Sequence, residues 1–283
     1  MQLVVHGGAG GVPDDPKQRQ RVLDRAVAVG TENAAPLTAA VTAVGVLEAD
    51  PRFNAGVGSA VQSDGTIRTD AGLMTSDGRT GAACSMPGVE QAASVARVVA
   101  EETPHVLVSG QQAVELAEAF GIPTGVTLWS PETRRRWAGL SVPGADTRDQ
   151  LEFVREQFGG IDTVGAVATD GEEVVAVTST GGRWCALAGR VGDVPQIGAG
   201  FYASARAAAS ATGAGEAIAR FGLARRVVDA IENGDDPETA TDRTIRGFGS
   251  EMGAEAGVIA VDVDGRTGSA FNSEGMQTAG SEQ

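Results

Sequence analysis

Thr163, in the run Ile161-Asp162-Thr163-Val164-Gly165, precedes a second threonine, Thr180, in Thr178-Ser179-Thr180-Gly181-Gly182. A chain cut just ahead of a threonine presents a hydroxyl nucleophile and a free amine on one residue. That pair can hydrolyse amides with no histidine base. Such an arrangement suits a chain whose only histidines are His6 and His105. If the bond between Asp162 and Thr163 opens, the new α-amine would titrate at roughly 7.7–8.0 before perturbation. That is close enough to neutrality to accept the proton of its own hydroxyl.

Further polar residues follow in a compact order. Arg190 and Asp193 stand in Gly189-Arg190-Val191-Gly192-Asp193-Val194-Pro195. An arginine there offers two parallel hydrogen bonds to an α-carboxylate, and the aspartate suits an α-ammonium group. Thr212 and Gly213, in Thr212-Gly213-Ala214-Gly215-Glu216, supply a hydroxyl and a backbone N–H for an oxyanion hole at a predicted helix start. These parts together suit hydrolysis of an amide on an amino acid. Taken singly, each has a plainer reading as a strand threonine, a surface ion pair or a helix cap. Their joint order reverses that balance.

Other motifs point elsewhere and stop short. His6-Gly7-Gly8-Ala9-Gly10 is like the oxyanion loop of esterases, but no Gly-x-Ser-x-Gly elbow accompanies it. The same glycines lack the lysine of a phosphate-binding loop. His6 reads as a buried, hydrogen-bonded histidine, and His105 as one that packs or caps. Two separated histidines argue against a Ser-His-Asp site or a histidine-based zinc site.

The elements that must position these residues are partly visible. Leu3–Val5 reads as a short buried strand entering a glycine turn over His6–Gly11. Helices are predicted over Gln18–Val29, Pro36–Glu48, Val95–Glu101, Gln111–Phe120 and Glu216–Ile231. A polar stretch from Ser141 to Gly160, with Pro143, Gly144 and Asp146, is the candidate mobile connector. Val164–Thr169, the turn Asp170-Gly171 and Val174–Thr178 form one hairpin. Val258–Val263, Asp264-Gly265 and Thr267–Phe271 form another. Clustered strands and clustered helices suggest a sheet-on-sheet core wrapped by helices, in one domain with a processing site near residue 150.

Composition sets the class. The 283 residues are 42% hydrophobic but only 4% aromatic, so small apolar side chains fill most of the interior. The net charge is −15, and Lys17 is the single lysine. That acidity disfavours nucleic acid and anionic membrane as partners and reads as a solvated shell suited to a salty interior. Cys84 and Cys185 are too few for a disulfide framework or a four-cysteine zinc site. The start resembles no secretory signal, and no stretch has the length of a membrane span. A cytoplasmic protein is expected.

The ordered motifs resemble the plant-type L-asparaginase and isoaspartyl peptidase family of N-terminal-nucleophile hydrolases, over nearly the whole chain. They include Val5-His6-Gly7-Gly8-Ala9-Gly10, Leu47-Glu48 with Phe53-Asn54-Ala55-Gly56, Asp70 with Met74, and Ser94-Val95-Ala96-Arg97 with Thr103-Pro104-His105. They continue through the threonine, arginine and aspartate motifs above to Phe271-Asn272-Ser273-Glu274-Gly275-Met276. The resemblance implies an α+β fold, a four-layer αββα sandwich, made as an inactive precursor. Self-cleavage between Asp162 and Thr163 would leave an α subunit of 1–162 and a β subunit of 163–283, assembling as (αβ)2. By position Thr163 matches the nucleophile, Thr180 its supporting threonine, and Asn54 a side chain near it. Arg190 and Asp193 match the head-group binders. Thr212 and Gly213 match the oxyanion hole, with the Gly213 and Gly215 carbonyls near the substrate amine. The backbone carbonyls of Leu47, Glu48, Asp50, Phe53, Ala55 and Val57 match a sodium-binding loop.

The implied reaction cleaves the side-chain amide of L-asparagine and β-aspartyl dipeptides, with a small molecule or dipeptide as substrate. It requires no organic or redox cofactor, and a structural sodium ion is the one expected addition. Glycosylasparaginases, the alternative, usually show Thr-Ser-Thr-Asn-Gly and Thr-Gly-Asn-Gly-Asp. Gly181, Ala214 and Glu216 favour the asparaginase branch instead. A non-catalytic scaffold relative is the other alternative, against which the intact Thr163, Thr180 and Thr212 argue. Two departures touch the expected pocket: Val194 replaces a usual serine, and Arg183-Trp184-Cys185-Ala186-Leu187 lacks a frequent lysine.

Overall fold

A computed structural model describes residues 1–281 except Pro143, Ala145 and Ile161. Pro143 of the connector and Ile161 ahead of Asp162 therefore lie outside the described residues. From the N-terminus the elements are β1 (Gln2–Gly10), α1 (Pro16–Thr31), α2 (Pro36–Glu48), β2 (Arg68–Thr75) and β3 (Thr80–Pro87). Next come α3 (Ala92–Glu102), β4 (Leu107–Ser109), α4 (Gln111–Ala119), α5 (Pro131–Ala138) and α6 (Thr147–Gln157). Past Thr163 lie β5 (Val164–Thr169), β6 (Val174–Thr180), β7 (Phe201–Ala203), β8 (Ala207–Gly213), α7 (Gly215–Phe221) and α8 (Leu223–Glu232). The remainder is α9 (Pro237–Met252), β9 (Ala256–Asp262), β10 (Thr267–Phe271) and β11 (Gly275–Gly280).

Local chemistry sets several helix starts. The Asp15 carboxylate accepts from Gln18 N at 3.2 Å and Pro16 opens α1; Asp236 and Pro237 repeat the device on α9. Ser130 and Thr133 form a reciprocal capping pair on α5. None of the helices is long and apolar enough to cross a membrane, among the described residues.

The fold is mixed α/β with two sheets. One has seven strands in the order β11-β1-β5-β6-β2-β3-β4, the other four in the order β10-β9-β8-β7. Every named pair is antiparallel except β3 with β4. Strand period sorts the core. Val164, Ala166 and Ala168 of β5 join Val175 and Val177 of β6 in a cluster with residues of α1 to α4. The intervening Val167, Val174 and Ala176 point the other way, onto Phe201, Ala208, Ile259 and Val261 of the smaller sheet. A third cluster joins that smaller sheet to α7, α8 and α9.

Phe201 anchors the contact between the sheets. It is fully buried, and a Cβ added to Gly72 of β2 would collide with its ring. Phe201→Ala is expected to lower unfolding free energy by about 3–5 kcal/mol in urea denaturation. A loss under about 1 kcal/mol would contradict the packing described.

Beyond the strands and helices that the sequence does not single out, three expectations are corrected. β1 does not stop at a glycine turn but continues to Gly10, with an irregularity between His6 and Ala9. The predicted helix over Glu216–Ile231 is two helices, broken at Gly222 with φ +71°, a left-handed conformation that glycine adopts without steric penalty. Thr212 and Gly213 end strand β8, and the helix begins only at Gly215. β6 ends at Thr180, so that threonine closes the strand.

Candidate active site

Sheet register brings the two threonines together. β5 begins at Val164 opposite Ser179 of β6, so Thr163 and Thr180 sit at the same end of one antiparallel pair. Thr163 Oγ1 donates to Thr180 Oγ1 at 3.1 Å, and both side chains are buried. Thr180 Oγ1 in turn donates to the Asp162 carbonyl at 3.3 Å and accepts from Gly182 N at 3.1 Å. That uses its one donor and both acceptor positions, which fixes the hydroxyl proton toward Asp162.

The Asp162 carbonyl has a second donor. Asn54 Nδ2 lies 2.8 Å from it and 2.6 Å from the Gly182 carbonyl, while Asn54 Oδ1 accepts from Ala60 N at 2.8 Å. All three bonds agree on which way the amide faces. The carbonyl ahead of Thr163 is therefore polarised by two donors, with the Thr163 hydroxyl held alongside.

The Asp162 side chain is also tied down. Its Oδ2 lies 2.8 Å from Arg19 Nη2, and its Oδ1 accepts from Thr163 N at 3.2 Å. Burial pushes this carboxyl up to about 6, against the pull of Arg19. Arg19 also donates to the Gly7 carbonyl. Gly8, at φ +109°, passes so close that a Cβ there would collide with the Asp162 carboxylate. No residue with a side chain fits at that position.

Arg190, Asp193 and Gly215 form an adjoining group. A Cβ on Gly215 would stand 2.6 Å from Asp193 Oδ1 and 2.8 Å from Arg190 Nη2. Asp193 is buried, its Oδ2 has no hydrogen-bond partner among the described residues, and burial pushes its carboxyl up to about 6. A buried acceptor without a donor is what a cationic ligand group would satisfy. Arg190 is held from one side by Glu216: Nε donates to Oε1 at 2.8 Å, and Nη2 lies 2.7 Å from the same oxygen but out of line for a hydrogen bond. Its other edge turns toward Gly182, where a Cβ would be 3.9 Å from Nη1. Gly182 thus links the arginine to the threonine pair.

Thr212 reaches the same region from the second sheet. Its Oγ1 accepts from Ala9 N at 3.2 Å, next along β1 from Gly8. His6 is fully buried, with Nε2 2.9 Å from Ser210 Oγ, and burial lowers it to about 3. It stays a neutral structural residue. His105, by contrast, is exposed, and its backbone N donates to Thr103 Oγ1 at 3.1 Å. Cys84 and Cys185 are free and buried.

The loop from Leu47 to Val57 closes on itself. Asp50 N donates to the Leu47 carbonyl at 3.2 Å, Phe53 N to Asp50 at 3.1 Å and Val57 N to Glu48 at 2.8 Å. The carbonyls of Phe53, Ala55 and Val57 accept no hydrogen bond among the described residues. Three unshared backbone oxygens in one loop match the ligand chemistry of a hard cation. Val194 is fully buried, and Arg183, first of the run that lacks the expected lysine, bonds Glu216 at 3.0 Å and the Gly160 carbonyl at 2.9 Å.

Sequence reasoning missed Arg19 in this region, and quoted Asp70 and Glu216 as motif residues without giving either a role. Arg19 was detectable as a charged residue on the apolar stripe of α1, in step with Leu23, Ala26 and Val27. Asp70 pairs with Thr180 in the β2–β6 register, accepts from Ser85 N at 2.6 Å, and is pushed by burial up to about 7. Glu216 has no local signal beyond its place after Gly215.

Comparison with known proteins gives the family. The family model described as asparaginase matches residues 1–283. The plant-type L-asparaginase of Pyrococcus furiosus is 39% identical, across 99% of this chain and 95% of that protein. The isoaspartyl peptidase/L-asparaginase of Danio rerio is 34% identical across 99% and 92%, and that of Xenopus laevis 36% across 98% and 91%. With a matching model from end to end and such relatives over nearly its full length, the chain belongs to the asparaginase family.

Proposed function

We propose that this protein hydrolyses the side-chain amide of L-asparagine and the isopeptide bond of β-aspartyl dipeptides, through an ester on Thr163. The names of its relatives support the substrate class. One observation carries the mechanism: the Thr163 hydroxyl sits 3.1 Å from Thr180 Oγ1, beside a carbonyl held by two donors.

The same geometry supports maturation by self-cleavage into 1–162 and 163–283. Thr163 Oγ attacks the Asp162 carbonyl carbon while Asn54 and Thr180 take up the charge on its oxygen. The C–N bond breaks, the Thr163 nitrogen gains the hydroxyl's proton, and an ester joins Asp162 to Thr163. Water then hydrolyses that ester and frees both groups. In the mature enzyme the free amine takes the Thr163 proton as the hydroxyl attacks the substrate's β-carbonyl. Arg190 and Asp193 hold the α-carboxylate and α-ammonium, Gly215 leaves room for the head group, and Thr212 with Gly213 N–H faces the developing oxyanion. The departing amine takes the proton back, and water releases aspartate. Only protons and an acyl group move, so the chemistry calls for no organic or redox cofactor.

The two facing sheets with helices outside fit a four-layer αββα sandwich, and (αβ)2 is the proposed assembly. A sodium ion would sit on the backbone oxygens of Leu47, Glu48, Asp50, Phe53, Ala55 and Val57, and would stiffen the loop that carries Asn54. Free buried cysteines suit a reducing, cytoplasmic setting. An acidic surface leaves small substrates, rather than nucleic acid or membrane, as the partners. Purified protein should resolve into two fragments by intact mass and release aspartate from asparagine and β-aspartyl-leucine. An uncut chain inactive at every salt concentration would end this reading, and release from glycosylasparagine alone would move it to the glycosylasparaginase alternative.

pH dependence provides a separate check. Asp193 must be ionised to bind an ammonium group, and burial raises it to about 6, so binding fails as pH falls through that value. The α-amine base, near 7.7–8.0, is also lost on the acid side. In wild type, kcat/KM should drop about tenfold per pH unit below roughly 8, steepening to about a hundredfold per unit below 6. Asp193→Asn should keep only the shallower limb, at a lower rate. A wild-type profile of unit slope down to pH 5 would remove Asp193 from this role.

A further inference from the structure

A cavity of about 290 Å³ opens beside Asp162, the residue ahead of the nucleophile. Asn54, Asp162 and Gly182 form its inner wall, and neither Arg190 nor Asp193 lines it. If the aspartyl head lies at Arg190 and Asp193 with its β-carbonyl at Thr163, whatever leaves must extend in another direction. The cavity reaches the threonine pair through Asn54, Asp162 and Gly182, which bond one another and Thr180, and its volume is near the lower end of those that hold small ligands, about 300 Å³.

Its outer wall carries charge of both signs. Arg52 and Arg136 both line it, with Glu132 and Trp184. Arg52 is committed to Asp50 at 2.8 Å, and Glu132 is committed to Arg135. Arg136 makes no ion pair among the described residues, and its guanidinium stacks 4.0 Å from the Trp184 ring centroid. Stacking orients the fork while leaving its N–H edges for an anion. Arg136 is thus an oriented cation, without an ion pair among the described residues, on a cavity whose wall includes Asp162.

We propose that this cavity seats the leaving residue of a β-aspartyl dipeptide and that Arg136 holds that residue's free α-carboxylate. The inference rests on the function proposed above and narrows it: dipeptides ending in a free carboxylate are preferred over substrates that lack one. Asparagine, whose leaving group is ammonia, leaves the cavity unused.

The test compares kcat/KM for β-aspartyl-leucine with that for its C-terminal amide, on the processed protein. A ratio within one enzyme sample cancels any loss of folded material. Wild type should favour the free acid by about tenfold, the scale of one charge-assisted pair at a half-exposed site. Arg136→Gln should bring the ratio near one, Arg136→Lys should keep part of it, and Arg52→Gln should leave it at the wild-type value. A wild-type ratio near one, the result if the cut end of the α subunit fills the cavity, would overturn the proposal. So would an Arg136→Gln ratio equal to wild type. Turnover of asparagine in the same sample separates these outcomes from failure of the hydrolase reading itself, in which no substrate is turned over.

Discussion

Thr163→Ala is expected to remain one 283-residue chain and to lose turnover by a factor on the order of 10⁶. The substitution removes the hydroxyl assigned as nucleophile, which lies 3.1 Å from Thr180 Oγ1. The Thr180 hydroxyl cannot substitute, since its proton is directed to Asp162 O and its lone pairs face Thr163 and Gly182. Stability should change little, because the lost hydrogen bond is one of several on Thr180. Denaturing gels and intact mass follow the cut, and aspartate release follows the activity. A Thr163→Ala chain that still separates into 1–162 and 163–283 would refute the nucleophile assignment.

Asn54→Asp is expected to slow the appearance of the two fragments by about 10²–10³. The carboxylate keeps the acceptor for Ala60 N but loses both donors, which now serve the carbonyls of Asp162 and Gly182. It also places negative charge where the oxyanion forms. The half-time of cleavage after refolding measures the effect. A rate equal to wild type would leave Thr180 as the sole donor of consequence.

The hairpin bearing both threonines was legible because β5 and β6 alternate small apolar residues around a plain Asp170-Gly171 turn. Fold and site are linked there: one register sets Thr163 against Thr180. The glycines of β1 misled in the opposite sense. They read as a turn, yet Gly7 and Gly8 are strand positions kept bare by Phe53 and the Asp162 carboxylate. β2 and β3 are rich in glycine, alanine and threonine, and a shift between Thr69 and Ala71 breaks their period, so neither stood out. The break at Gly222 was hidden because apolar residues continue through it. Arg190 and Asp193 were legible as types, but the carboxylate of Glu216 on Arg190 comes from a contact between separate elements, which spacing does not encode.

The order of the larger sheet has a consequence for the life of the molecule. β1 and β2 from ahead of Thr163 alternate with β11, β5 and β6 from behind it. Opening the 162–163 bond therefore yields two polypeptides laced through one hydrogen-bonded ladder, and pulling them apart means unzipping three strand pairs at once. Before that event the sequence folds as a single chain; afterwards, recovery from denaturation is a meeting of two partners and slows with dilution. Maturation would thus convert a reversible folder into a protein preserved by its barrier to unfolding, with one opportunity to assemble correctly.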